Sequence, residues 1–164
     1  MSYFLIIRGP LGSGKSTISE KLAQKLGAKH FSIDRPFDDG KIIFEEEEGY
    51  VSQKSFLEAN DIYIEDAIKT LNSGAPVIFE GNFYWQSQID DLINKLNYPH
   101  WIFTLEVPLE VCIERDRNRE KSCGKDAAEV VHAKSKEVDC GIPIDGTKDL
   151  NQIIEEIISY LPKN

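Results

Sequence analysis

The chain has 164 residues, of which 41% are hydrophobic, and its 28 acidic residues outnumber its 19 basic residues to give a formal net charge of −9. This length and apolar content predict one domain with a substantial core, spanning residues 1–164. Because an acidic surface repels polyanions, long nucleic acid and anionic membranes are not expected as partners, although a local basic groove is compatible with the total charge. The sequence leaves open whether the protein is a monomer or a homodimer.

The sequence also bears on location and on cysteine chemistry. No apolar run approaches the roughly 20 residues that cross a bilayer, and the N-terminus enters a strand without the basic and apolar segments of a signal peptide. The three cysteines, Cys112, Cys123 and Cys140, show no paired spacing. They therefore predict neither a disulfide framework nor a zinc site. We expect a soluble cytoplasmic protein with reduced thiols.

The first predicted unit is a strand, a glycine-rich turn and a helix. Residues 3–8 form a short apolar run with aromatic and β-branched side chains, which is typical of a buried strand. Residues 15–26 place apolar side chains at helical spacing, and Gly27 follows as a stop signal. The turn between them therefore lies at the carboxyl end of a strand and opens a helix.

That turn has the composition of a phosphate-binding loop. Gly9, Gly12 and Gly14 allow successive backbone N–H groups to point inward at phosphate oxygens. Lys15 adds a mobile positive charge for the β- and γ-phosphates, Ser16 offers a hydroxyl to Mg²⁺, and the helix dipole favours the same anion. The alternative is a turn that binds nothing, but average residue usage gives this pattern in about 1% or fewer of such chains. The expected nucleotide contacts are Gly9, Leu11, Gly12, Ser13, Gly14, Lys15, Ser16 and Thr17.

A second carboxyl-end position follows at Asp34. Residues 30–33 are predicted to form a short strand that ends at this carboxylate, and Arg35 and Pro36 are expected to break regular structure. In an open parallel sheet, ligands bind at the edge formed by the carboxyl ends of the strands. Asp34 is therefore a candidate site residue.

Residues 37–50 are expected to form an irregular flap next to Asp34. Residues 41–44 are compatible with a brief strand, and residues 45–48 are four consecutive glutamates. An acidic run is usually a solvated face, which we favour here over a role in substrate binding.

The remainder of the chain alternates helices with strands. Residues 52–71 predict a long helix with Phe56, Ala59, Ile62, Tyr63, Ala67 and Leu71 facing inward. Strand 76–79 then ends in Glu80, Gly81 and Asn82, which puts another carboxylate at the ligand edge. The other predicted elements are helices 85–96, 109–119, 127–136 and 150–161 and strands 100–105 and 141–144. Five strands alternating with helices predict a three-layer α/β fold with a five-stranded parallel sheet.

The segment 77–84, an apolar strand followed by Glu80, Gly81, Asn82, Phe83 and Tyr84, carries a resemblance. It is similar to the adenylate-kinase segment in which a strand ends in Asp-Gly and then Phe-Pro-Arg. Together with the phosphate loop, it makes the chain resemble, nearly end to end, the small P-loop kinases. This group includes adenylate, shikimate and gluconate kinases and the chloramphenicol and polynucleotide 5′-hydroxyl phosphotransferases. The resemblance implies ATP-dependent phosphoryl transfer with Mg²⁺, which Ser16 and Glu80 would hold.

The sequence departs from the nucleotide kinases at the acceptor side. Tyr84 stands where those enzymes place an arginine that grips the acceptor's phosphate, and the neighbouring flap is acidic. We therefore expect the acceptor to be a hydroxyl of a small, uncharged or cationic molecule. Arg35 offers one positive charge, so a nucleoside or nucleoside monophosphate kinase remains the alternative. The acceptor contacts expected from the resemblance are Asp34, Arg35, Glu80, Asn82 and Tyr84.

Asp34 resembles the carboxylate that accepts the acceptor's proton in the hydroxyl-phosphorylating members of the family. Its alternative role is that of a turn-forming Asp before Arg35 and Pro36. Arg115 and Arg119 resemble the arginines that border the lid and reach the γ-phosphate, although cations at a helix end also suit the helix dipole. Residues 117–125 are the expected lid, without a zinc-binding cysteine quartet.

The resemblance extends to the last loop, where Thr147 lies in the position that holds the adenine. The expected catalytic residues are Lys15, Asp34, Arg115 and Arg119, with Arg115 and Thr147 also contacting the nucleotide. A second alternative from another class is an ATP-dependent switch or binding module with little turnover.

Overall fold

The computed structural model describes residues 1–163, so the final position of the expected 1–164 domain lies outside the described residues. The elements in chain order are β1 (Phe4–Arg8), α1 (Lys15–Leu26), β2 (Lys29–Ser32), α2 (Arg35–Asp38), β3 (Glu46–Glu47), β4 (Tyr50–Val51), α3 (Gln53–Asn72), β5 (Val77–Gly81), α4 (Gln86–Leu96), β6 (His100–Glu106), α5 (Leu109–Arg117), α6 (Lys125–Ser135), β7 (Ile142–Asp145) and α7 (Leu150–Ser159). Five of the strands form a parallel sheet in the order β2-β5-β1-β6-β7, and the predicted α/β fold is confirmed.

Helices cover both faces of the sheet and give it two hydrophobic cores. The central strand β1 is buried throughout and alternates its side chains between the two sides. Phe4 and Ile6 belong to the core that α3 and α4 cover. Leu5 and Ile7 belong to the core covered by α1 and α7. This arrangement is the three-layer packing that the sequence predicts.

The strand register brings the candidate site residues to one edge. Glu80 on β5 pairs with Ile7 on β1 and with Ser32 on β2, so the three strands reach the same level. The next residues along these strands are the phosphate loop, Asp34 and Asn82. Their side chains therefore start from neighbouring points at the carboxyl edge of the sheet.

Residues 34–51 differ from the expectation in two places. Arg35 and Pro36 do not break regular structure but begin the short helix α2, because proline fits the first helical turn, where its missing N–H costs nothing. Residues 41–44 form no strand, and a two-stranded antiparallel hairpin of β3 and β4 follows instead. Its turn contains Glu48 and Gly49, both with positive φ, at 55° and 81°.

Two details of the helices also differ from the prediction. Ile62 on α3 was expected to face inward but is 42% exposed. Helix α5 ends at Arg117 and not at the predicted residue 119, so Arg119 lies beyond the helix that carries Arg115. Within residues 1–163, no helix combines the length and apolarity that crossing a bilayer requires.

Candidate functional site

The turn after β1 has the backbone geometry of an anion cradle. Gly12 and Gly14 have φ values of 77° and 89°, which side-chain-bearing residues rarely adopt. A Cβ added at Gly12 would lie 2.2 Å from the carbonyl oxygen of Cys112, so this position is also closed sterically. Gly14 is the N-cap of α1, and the first N–H groups of that helix point into the turn. Both glycines are therefore required by the loop's shape.

A cavity of about 450 Å³ opens above this turn. Lys15 is only 7% exposed, and its Nζ donates to the carbonyl oxygen of Pro10 at 3.3 Å. Lys15 thus presents a largely desolvated cation at the start of α1, where anions are favoured. The cavity is lined by Gly12, Ser13, Gly14, Lys15, Ser16, Thr17, Ile18, Arg115, Arg119, Gly146, Lys148, Leu150 and Ile153.

A buried carboxylate stands beside the cradle. Glu80 is 3% exposed, and its Oε1 accepts a hydrogen bond from Ser16 Oγ at 3.3 Å. Its Oε2 has no hydrogen-bond partner among residues 1–163, and neither has Oδ1 of Asn82, which is 9% exposed. Buried oxygens without partners are costly unless a ligand or water completes them. The oxygen donors of Ser16 and Glu80 are of the kind that Mg²⁺ prefers, so the residues present fit that ion.

Asp34 lies at the N-cap of α2, immediately after β2. Burial raises the pKa of its carboxyl to about 6, with the nearby cation of Lys15 lowering it and the carboxylates of Glu80 and Asp38 raising it. Asp34, Lys15 and Glu80 therefore act on one another electrostatically. A carboxyl with a pKa near the working pH is suited to accept a proton from a hydroxyl.

The two candidate arginines have different surroundings. Arg115 donates from Nη1 to the carbonyl oxygen of Ser13 at 3.3 Å and from Nη2 to that of Gly146 at 3.0 Å. It therefore ties the phosphate loop to the loop after β7. Arg119 is half-exposed, and its Nη1 lies 3.7 Å from Oδ1 of Asp116. Of the two, Arg119 has the greater freedom to reach a phosphate in the cavity.

Asp116 is a buried residue that the sequence analysis did not identify. It is 2% exposed and accepts hydrogen bonds from Ser122 Oγ and from the backbone N–H groups of Cys123 and Gly124. Burial opposes its charge, but these hydrogen bonds, together with Arg119, outweigh that effect and lower the pKa of the carboxyl. Asp116 thereby fixes the expected lid to the end of α5. An Asp between two arginines in a helix gives no sequence signal of this role.

Tyr84 is not open to solvent, although the sequence analysis expected it at the acceptor site. It is 4% exposed and packs its ring against Tyr50, Phe56 and Trp85. Burial raises the pKa of its hydroxyl to about 12. Its neighbour Phe83 has a φ of 46°, so the backbone between Asn82 and Tyr84 is held in a left-handed conformation. Tyr84 therefore shapes this loop from the protein side.

The remaining predicted contacts lie around the site. Arg35 is exposed on the first turn of α2, and Leu11 is half-buried in the phosphate loop. Thr147 donates from its N–H and its hydroxyl to Oδ1 of Asp145, at 2.9 and 2.6 Å. From this loop, Gly146 and Lys148, the residues on either side of Thr147, line the cavity.

The sequence is similar to one protein family and to known kinases. A family model described as an AAA domain matches residues 4–138. Adenylate kinase 1 of Synechocystis sp. is 30% identical over an alignment of 125 positions that covers 70% of this chain and 67% of that protein. Shikimate kinase of Persephonella marina is 29% identical over 166 residues, with 93% of this chain and 95% of that protein covered.

The fold is similar to that of a solved kinase structure. A sugar kinase from Janibacter sp. HTCC2649 superimposes with a TM-score of 0.76 at 18% identity, covering 98% of this chain and 94% of that one. At this identity the likeness shows the fold alone.

Proposed function

This chain belongs to the small P-loop kinases, and from that premise we propose that it transfers the γ-phosphate of ATP to a hydroxyl of a small, uncharged or cationic molecule. The observation that carries the proposal is the convergence of Asp34, Glu80 and Lys15 at one edge of the sheet. Lys15 lowers the pKa of the Asp34 carboxyl, and Glu80 raises it. A base, a metal-binding carboxylate and a phosphate-binding cation are the groups that such a transfer requires.

On the nucleotide side, the glycines of the cradle and Lys15 bind the phosphates. Ser16 and Glu80 would hold Mg²⁺, which would neutralise charge on the transferred phosphate. Arg115 holds the cradle against the loop after β7 through two backbone carbonyls. Arg119 supplies a planar cation that pairs with phosphate oxygens when the lid excludes water.

On the acceptor side, Asp34 accepts the proton of the hydroxyl and aligns its oxygen with the phosphorus atom. With a pKa of about 6, the carboxyl is mainly ionised at neutral pH and still basic enough to take a proton in the transition state. Phosphoryl transfer has a loose transition state, so alignment contributes as much as basicity.

The charge of the acceptor follows from what surrounds Asp34. The phosphate-gripping arginine of the nucleotide kinases is replaced by Tyr84, which is buried, and four glutamates lie in the flap. Arg35 is the exposed cation next to Asp34 in the chain. One exposed arginine is a weak clamp for a dianionic phosphate, because water screens its charge.

A nucleoside or nucleoside monophosphate kinase is the second candidate, favoured by the similarity to an adenylate kinase. It requires Arg35 to act as the acceptor's phosphate clamp. A third candidate, an ATP-dependent switch, requires only nucleotide binding and lid closure.

The deciding experiment is a coupled ADP-release screen with Mg·ATP and a panel of nucleosides, nucleoside monophosphates, sugars and amino alcohols. We expect acceptor-dependent ADP release with at least one uncharged or cationic compound. Lys15→Ala should lower the rate by at least about 10³ while circular dichroism and Tm in the absence of nucleotide stay as in the wild type, because Lys15 serves the polyphosphate. Background turnover with every acceptor, alongside clear ATP binding, would favour the switch. A near-normal rate in folded Lys15→Ala would remove the proposal.

A further inference from the structure

Lys134, near the end of α6, is a buried cation that the proposed chemistry does not use. It is 4% exposed, and its Nζ lies 3.9 Å from the ring centroid of Trp85 and 4.9 Å from that of Tyr50. Its carboxylate partners are Glu137, with Oε2 at 2.7 Å, and Glu48, with Oε2 at 3.6 Å. Three segments distant in sequence therefore meet on one ammonium group: α6, the hairpin turn and the loop after β5.

A second buried cation, Arg8, holds the same end of α6. It is 1% exposed and donates to the carbonyl oxygens of Ser135 at 2.8 Å and Val138 at 3.1 Å. Its Nε donates to the carbonyl oxygen of Phe83 at 3.1 Å. Arg8 is the last residue of β1, so it joins the strand that precedes the phosphate loop to both α6 and the loop after β5.

Both contacts are strong enough to hold the neighbouring segments together. A desolvated cation over a tryptophan face is among the stronger cation–π contacts, and carbonyls at a helix C-terminus attract a guanidinium. Breaking either contact leaves a buried charge without its partners, which is strongly unfavourable. The end of α6 is therefore held to β1, and the flap and the loop after β5 are held to the end of α6.

We propose that the C-terminal turn of α6, which Arg8 holds against β1, positions the acceptor loop, residues 82–85, and the acidic flap, residues 45–51, with Lys134 as the positioning residue that ties the flap to this fixed point. The expected lid, residues 117–125, leads directly into α6. Ordering of the lid by a nucleotide should therefore also order the end of α6 and, through Lys134, the flap. The proposal rests on the proposed function insofar as it names an acceptor side, but the coupling itself requires only nucleotide binding.

Hydrogen–deuterium exchange on the full chain tests this coupling without an identified acceptor. The measurement compares wild type, Lys134→Met and Lys69→Met, each without nucleotide and with Mg²⁺ and a non-hydrolysable ATP analogue. Methionine keeps the length of the side chain and removes its charge. Lys69 is a matched control because it is an exposed helix lysine paired with Glu65.

In Lys134→Met without nucleotide, residues 45–51 and 82–85 should exchange faster by about tenfold, as expected for the loss of a desolvated cation contact. Residues 9–17 should not change. In the wild type the analogue should protect the flap as well as the phosphate loop, and in Lys134→Met only the phosphate loop. Lys134→Arg, which keeps a cation over Trp85, should restore the flap protection.

Unchanged exchange of the flap in folded Lys134→Met would overturn the proposal. So would equal flap protection by the analogue in the variant and the wild type, or failure of Lys134→Arg to restore it. If the analogue does not protect residues 9–17 in the wild type, nucleotide binding and the proposed function fail. The nucleotide-free comparison still decides whether Lys134 holds the flap.

Discussion

At the scale of single residues, Asp34 carries the clearest prediction. Asp34→Asn keeps the shape of the side chain and removes the proton acceptor, so acceptor-dependent turnover should fall by roughly 10² to 10⁴ with little change in ATP affinity. The lower end is expected because a loose transition state does not demand early deprotonation. In the wild type, kcat/KM for the acceptor should rise with pH through about 6, the pKa of this carboxyl, and then level off. If the variant keeps at least half of the wild-type turnover, Asp34 is a turn-forming residue and not the base.

The same carboxyl should make the protein less stable at neutral pH. Its folded-state pKa of about 6 exceeds the ordinary value of 3.8, so the folded state disfavours the ionised form. This cost is absent below the unfolded pKa and complete above the folded one, and the shift corresponds to on the order of 1 to 3 kcal/mol. Asp34→Asn should therefore melt several degrees above the wild type at pH 7.5, and the difference should shrink toward pH 4. Identical Tm values at both pH values would show that the carboxyl is not desolvated.

Arg119 offers a test of where the lid acts. Because Arg119 is half-exposed and its Nη1 lies 3.7 Å from Oδ1 of Asp116, its phosphate contact should form mainly in the transition state. Arg119→Ala should then lower kcat by about 10² or more and change ATP affinity by less than about threefold. The measurement is kcat beside the Kd for ATP. Unchanged kcat with weaker ATP binding would make Arg119 a ground-state contact instead.

At the scale of elements, the strands and long helices were predictable and the segments between them were not. Helix α1 was predicted with the observed bounds because apolar spacing and the terminal Gly27, with φ of 62°, specify it locally. The hairpin of β3 and β4 was missed because its two-residue strands have no hydrophobic period, and Ser52 anchors it by donating its N–H to the carbonyl oxygen of Glu45. Ile62 was mispredicted in a similar way. Its spacing matches the inward-facing positions of α3, but its side chain is 42% exposed.

The same difference applies to the candidate site. The sequence predicts that Lys15, Ser16, Asp34 and Glu80 lie at one edge of the sheet because they stand at the starts or ends of regular elements. Asp116, by contrast, accepts hydrogen bonds from residues 122–124, which depend on how that loop folds back. A side chain whose partners come from irregular backbone has no periodic pattern to mark it.

The lid itself should respond to loss of its internal anchor. Asp116→Asn removes the negative charge of the carboxylate that accepts hydrogen bonds from Ser122, Cys123 and Gly124. We therefore expect the free energy of unfolding to fall by about 1 to 3 kcal/mol. Hydrogen–deuterium exchange in residues 117–124 should become about tenfold faster. Because the folded-state pKa of this carboxyl is lowered, its stabilisation is present at neutral pH and lost as the pH falls below its ordinary range. Asp126→Asn, at an exposed position in the first turn of α6, is the control. Equal exchange in the two variants would show that the lid does not depend on Asp116.

At the scale of the whole molecule, the net charge of −9 acts on every charged ligand that approaches the site. The strand register concentrates Asp34, Glu80 and the cradle at one edge. The cations Lys15, Arg115, Arg119 and Lys148 line the cavity above the phosphate loop, whereas the flap carries four glutamates. Such an edge can bind an anionic nucleotide at the phosphate loop and a cationic acceptor beside the carboxylates.

This charge distribution predicts how the rate depends on salt. The kcat/KM of a cationic acceptor should fall between about 50 and 300 mM salt, because the Debye length shrinks from roughly 14 Å to 6 Å over that range. An uncharged acceptor should be insensitive at saturating Mg·ATP. Nucleoside monophosphates should be at least tenfold poorer at low salt, since both the flap and Asp34 repel them. Glu46→Gln, which removes one exposed flap charge, should reduce the salt dependence for a cation and leave an uncharged acceptor unaffected. A monophosphate that outperforms both classes at low salt would overturn the charge argument and select the nucleotide-kinase alternative.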